Sequence, residues 1–85
     1  MQTLMIDGSM YNSPRELHLA LKKALSLPDY YGLNADALND CLGERTDTVN
    51  LWILNPGTGE TAVAVSRVAH VVADNGGKVK ELWQA

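Results

Sequence analysis

The sequence offers no covalent or metal staple. A single cysteine, Cys41, excludes an internal disulfide, and no Cys/His spacing resembles a structural zinc site. The fold must hold by packing alone, which suits a reducing compartment, and the expected location is the cytoplasm. Long apolar runs are also missing. The longest apolar-rich stretch, Ala62 to Ala73, is interrupted by Ser66, Arg67 and His70. It is too short for a membrane-spanning helix, which needs about 20 residues. The opening Met-Gln-Thr-Leu-Met-Ile-Asp has no basic segment of the kind that starts a secretory signal. No basic patch is present, and ten acids against seven bases give a net charge of −3. Neither nucleic acid nor an anionic membrane is therefore the expected partner. Length sets the last limit. The 85 residues make one domain, 1–85. A chain of this size buries only about 60% of its unfolded surface, so a large enclosed active site is not expected.

What the chain does have is charge in one place. Residues 26–47 carry Asp29, Asp36, Asp40, Glu44 and Asp47 against Arg45, a net of −4, and the other residues carry five acids and six bases, a net of +1. Tyr30 and Tyr31 lie in the same segment. A solvated acidic surface explains such a run in general. The residues around it narrow that reading.

Proline and glycine punctuate the chain at regular boundaries. Thr3 to Ile6 reads as a strand ended by Asp7-Gly8. Ser13-Pro14-Arg15-Glu16 reads as a helix start, with Ser13 as N-cap, Pro14 at the first helical position and Glu16 closing a capping box. Leu17, Ala20, Leu21, Ala24 and Leu25 then recur at helical spacing, and Leu27-Pro28 ends the helix. Asn34 is a good N-cap for a second helix over 35–43. Leu38, Cys41 and Leu42 share one face of it, and Asp36, Asn39, Asp40 and Gly43 the opposite one. Val49 to Leu54 reads as a strand stopped by Asn55-Pro56-Gly57. Thr61 to Asp74 is valine-rich, which favours strand. Its length and the stripe Val65, Val68, Ala69, Val72 decide for helix, with Asn75-Gly76-Gly77 as its stop. Lys78 to Trp83 reads as the last strand. The order β-α-α-β-α-β predicts an α/β fold, with a three-stranded parallel sheet flanked by about three helices in three layers.

These elements bear on several chemistries. Cys41 faces the apolar side of its helix, and His18 and His70 are far apart, so no ordered nucleophile, base and orienting group exists. The turn Asn55-Pro-Gly-Thr-Gly-Glu60 has neither phosphate fingerprint, and Glu60 would repel a phosphate. Asp36 and Asp40, one turn apart, point the same way and repel each other by a few tenths of a kcal/mol. General acid–base work would need a pocket that raises one pKa. A surface built to meet a cationic partner needs no pocket, and the tyrosines beside it add rigid contact area. At least one of the two tyrosines is expected to pack on the core.

At this point Leu17-His18, Leu21-Lys22-Lys23, Leu25, Leu27-Pro28-Asp29-Tyr30-Tyr31-Gly32, Asn34, Asp36-Ala37-Leu38 and Asp40-Cys41-Leu42 resemble the barstar family. The resemblance implies a small bacterial inhibitor of barnase-type ribonucleases, in which the loop after the first helix and the whole second helix plug the enzyme's active site. It implies partner contacts at Tyr30, Gly32, Asn34, Asp36 and Asp40, with Asp40 taking the place of the RNA phosphate. Ala35, Asn39, Gly43 and Glu44 complete the expected partner-binding surface. Departures are present: Asn39 stands where the family has tryptophan, Gly43-Glu44-Arg45 replaces a Thr-Gly-Trp stretch, and Val71 occupies the position of a contacting acid. The segment between Leu54 and Thr61 is short for the family's extra helix. These point to a cognate ribonuclease other than barnase. The expected protein is thus not an enzyme. It would use no cofactor or metal, bind a small basic ribonuclease for toxin immunity, and be a monomer when free. The rival reading is a barstar-like adaptor with a non-nuclease partner.

Overall fold

A computed structural model describes residues 2–82. Strand β1 is Gln2–Asp7, helix α1 Pro14–Ala24, helix α2 Ala35–Gly43, strand β2 Val49–Asn55, helix α3 Gly59–Asp74 and strand β3 Val79–Glu81, with a single 3-10 turn over Gly8–Met10. The order is the expected β-α-α-β-α-β. Both β1 and β3 pair in parallel with the central β2, so the sheet order is β1-β2-β3. Trp83, read as the end of the last strand, lies outside the described residues.

Local chemistry sets the helix starts. The Ser13 hydroxyl accepts from the Glu16 N–H at 3.3 Å and Pro14 opens α1. Helix α3 begins at Gly59, two residues before the apolar stripe suggests, with Thr58 as N-cap. Its valines tolerate the helix because Val65, Val68 and Val72 are all buried. Tertiary burial overrides the modest intrinsic cost of β-branched side chains. Helix α1 departs from its expected stripe at two places: His18 is buried beside Leu17, and Ala24 is exposed at the helix end.

The number of layers differs from expectation. Register pairs Leu4 with Leu51 and Ile6 with Ile53, and all four are buried. On the other side, Met5 pairs with Trp52 and Trp52 with Lys80. Met5 and Leu54 are exposed, and Lys80 Nζ sits 5.4 Å above the Trp52 ring. Paired residues share a face, so one face of the sheet is covered and the other is open. Helix α3 packs against both α1 and α2, which puts all three helices together on the covered face. The molecule is therefore two layers, not three. A strand order equal to the chain order returns every crossover to the same side when all have the same hand.

The core joins the three helices to the central strand: Leu17 from α1, Leu38 from α2, Leu51 from β2, and Val65, Val68 and Val72 from α3 are fully buried. Asn50, a buried polar residue in β2, accepts from the Lys78 N–H at 2.9 Å and fixes the entry to β3. Gly77 makes the closest backbone approach: a Cβ there would strike the Val49 carbonyl oxygen and lie 2.7 Å from Val72 Cγ1. Two outcomes follow, both measured by urea unfolding. Leu17→Ala is expected to lower stability by about 2–5 kcal/mol through an unfilled core volume. Gly77→Ala is expected to lower it by about 1–3 kcal/mol through overpacking.

Candidate functional site

The acidic surface is assembled from a loop and a short helix. Nine residues are fewer than the ~12–15 at which isolated helices become stable, so α2 depends on its cap and its packing. Asn34 Oδ1 accepts from the Ala37 N–H at 2.8 Å, and its Nδ2 donates to the Gly32 carbonyl at 3.0 Å. One side chain thus caps the helix and closes the loop before it. Leu38 and Leu42 seat the helix on the core. Leu33, just before the cap, has φ +54°. This left-handed backbone costs a non-glycine residue about 1–2 kcal/mol, and half-buried packing of Leu33 on the core opposes that cost.

The two adjacent tyrosines take opposite fates. Tyr30 is 82% exposed, whereas Tyr31 is 5% exposed. The Tyr31 hydroxyl makes a 2.6 Å hydrogen bond with Nδ1 of the buried His18, and lies 3.5 Å from the Asn34 carbonyl oxygen. A residue of α1 therefore holds the loop that leads into α2. Burial pushes the Tyr31 phenol well above its ordinary value, with Cys41 a smaller contribution, so Tyr31 keeps its proton. Burial also lowers the His18 pKa, which favours the neutral imidazole.

The carboxylates point outward. Asp36, Asp40 and Glu44, at successive intervals of four, are all exposed. Arg45, the one base of the segment, is turned elsewhere. Its Nε pairs with Asp47 Oδ1 at 3.2 Å, and its guanidinium donates to the Leu25 carbonyl at 3.2 Å. The Arg45 hydrogen bond holds the Asp47 carboxyl below its usual value. Lys22 lies 3.8 Å from Asp29. The local cations are thus engaged at the loop and the C-terminal end of α1, and the face of α2 keeps its charge.

The other expected contact residues divide. Gly32 and Gly43 are exposed, and Ala35 is half-buried. A Cβ on Gly32 would lie 3.3 Å from that of Ala37, so the loop hugs the first turn of α2. Asn39 is exposed but committed in part to α3, because its Oδ1 accepts from Asn75 Nδ2 at 2.9 Å. Glu44, Tyr30 and Cys41 border one shallow depression. Cys41 is half-buried rather than buried. Burial, Glu44 and Asp40 all raise its pKa, so it stays a thiol and is a poor nucleophile. Asp36 and Asp40 are open to solvent and lack the apolar enclosure that acid–base catalysis uses. Among the described residues no group of His, Cys, Asp and Glu could hold a metal ion, and no helix is long and apolar enough to cross a membrane.

Sequence reasoning missed two features. The His18–Tyr31 bond joins residues 13 apart, and no spacing in the sequence pairs the two. Arg67 and His70 on α3 border a groove with Asn34, Ala35 and Asp36. Only packing of α3 against α2 could have brought them there.

Comparison with known proteins gives the chain's family. The family model described as Barstar (barnase inhibitor) matches residues 1–85. A Bacillus subtilis (strain 168) protein named "Putative ribonuclease inhibitor YrdF" is 50% identical over 42 residues, which is 49% of this chain and 46% of that relative. The match thus spans about half the length of that relative.

The buried bond has a pH signature. A group whose folded pKa is lowered stabilises fully above its unfolded pKa and loses that contribution as pH falls through the folded value. For His18 the unfolded value is 6.5. The melting temperature is therefore expected to fall as pH drops below 6.5, and His18→Gln is expected to flatten this dependence between about pH 7 and about pH 5. Tyr31→Phe, which leaves Nδ1 unpaired, is expected to cost about 1–3 kcal/mol in urea unfolding.

Proposed function

The chain belongs to the barstar family, and from that premise we propose that it is a protein inhibitor of a small basic bacterial ribonuclease. The observation that carries the reading is the unneutralised carboxylate row on α2 beside the exposed Tyr30, with Arg45 turned away from it. In this reading α2 and the loop before it enter the enzyme's active site. Asp40, midway along the row, takes the place of the substrate phosphate among the enzyme's cations, and Asp36 and Glu44 flank it. Substrate and inhibitor then compete for one cationic site.

The physical logic favours inhibition over catalysis. An exposed carboxylate row supplies a field that steers a basic partner and raises its association rate. Desolvation by the partner strengthens each ion pair that forms. Tyr30 contributes a rigid aromatic anchor at low entropic cost, as hot-spot residues do. The half-buried Ala35, the open Gly32 and Gly43, and the Asn34 cap shape the rest of the contact. The biological role would be immunity: protection of the producing cell from its own or a neighbour's ribonuclease toxin, with the complex formed in the cytoplasm from a monomeric inhibitor.

The test mixes the protein with small basic ribonucleases of the barnase type and follows RNA cleavage. Inhibition is expected at low salt, and Asp40→Ala is expected to weaken binding by about 2 kcal/mol or more. The association rate is expected to fall steeply as the screening length shrinks from about 30 Å at 0.01 M salt to about 8 Å at physiological ionic strength. No inhibition of any such ribonuclease at low salt would overturn the reading. Capture of a non-nuclease protein that depends on Asp40 would favour an adaptor instead.

A further inference from the structure

Helix α3 carries the opposite charge to α2 where the two meet. Arg67 and His70 are three residues apart, on one face of the helix, and both are exposed. Together with Val71 they form one wall of a groove whose other wall is Asn34, Ala35 and Asp36. Arg67 also borders the adjoining depression, together with Leu33, Val63 and the acid Glu60. Among the described residues neither Arg67 nor Asp36 has an ion-pair partner. Opposite charges thus flank the groove without closing it.

This arrangement has a cost for one kind of partner and a use for another. A ribonuclease with cations all round its active site would meet Asp36 and Asp40 favourably and Arg67 unfavourably, and like charges brought together at an interface weaken it. We propose that the docking surface is bipolar. The groove between α2 and α3 receives an acidic side chain of the partner ribonuclease, paired with Arg67 beside His70, while the partner's cations engage Asp36, Asp40 and Glu44. The inference rests on the inhibitor reading and specifies its partner.

Three features of the groove suit a carboxylate carried by a protein. The guanidinium fork matches a carboxylate in bidentate geometry. The first turn of α2, at Asn34 and Ala35, contributes the positive end of a helix dipole to the same groove. The half-buried Val71 offers an apolar contact for the side chain's stem. Asp36 opposes a free anion in this position. It does not oppose an anion whose own protein neutralises Asp36 with a neighbouring cation. The groove therefore selects a surface of alternating charge, with a carboxylate on the rim of a basic cleft.

The test measures binding kinetics of the protein, Arg67→Glu, Arg67→Ala and Asp40→Ala against a panel of barnase-type ribonucleases of known structure. The panel is chosen for a carboxylate, a cation or neither on the rim of the cleft. Arg67 is exposed, and circular dichroism checks that each variant is folded. The unmodified protein is expected to bind members with a rim carboxylate most tightly. Arg67→Glu is expected to weaken those complexes by about tenfold or more and to tighten the ones with a rim cation, with Arg67→Ala between. If Arg67→Glu binds the tightest member as well as the unmodified protein does, or better, the bipolar interface is overturned. Retained sensitivity to Asp40→Ala in that case leaves the inhibitor reading standing. Loss of that sensitivity, or no binding to any member, overturns the inhibitor reading and this inference with it.

Discussion

The hydrogen bond between His18 and Tyr31 links the part of the molecule that is packed to the part that is presented. It lies in the interior, where a polar contact is stronger than in water and a broken one is costly. One partner belongs to α1 and the other to the loop that launches α2. Once Tyr31 is pinned inward, Tyr30 must face solvent, and Asn34 is delivered to the position where it caps α2 and bonds back to Gly32. A helix as short as α2 inherits its order from this anchor and from the seating of Leu38 and Leu42. The backbone that carries the carboxylate row is therefore fastened to the core, although every member of the row is exposed. Rigidity of this kind lowers the entropic cost of association.

The same economy of size governs the architecture. Three helices cover one face of a three-stranded sheet, and the other face remains open, with Met5, Trp52 and Leu54 along it. Helix α3 is the hub, because it touches both other helices and supplies three of the six fully buried side chains. A chain of this size has a thin core. It can hold a helix at an angle that brings the charges of α2 and α3 together at one groove. The distribution of cations completes the design: Arg45 and Lys22 are engaged by Asp47 and Asp29, while Arg67 is left beside Asp36.

Much of this was legible from residue order, and the reason is locality. The second helix runs over 35–43 as read, because Asn34 and the Leu38/Leu42 stripe are short-range signals. The parallel α/β class followed from strands alternating with helices, and the family resemblance was carried by a continuous string from Leu17 to Leu42. The valine-rich segment became a helix because its stripe could be buried. Three layers were expected and two were found, since the face to which a crossover returns depends on strand order, which no local pattern records. Asn39, grouped with the acidic face, is shared with Asn75 of the α3 C-cap because α2 and α3 cross there.

By itself, then, the order of residues determined the elements, the position of the acidic segment and the family to which it belongs. Those depend on capping, periodicity and charge along a few turns of chain. Only the tertiary structure decided which tyrosine is buried and which presented, which cations are neutralised, and that Arg67 and His70 stand across a groove from Asp36. These are outcomes of long-range packing, in which side chains far apart in the chain compete for one interior and one surface.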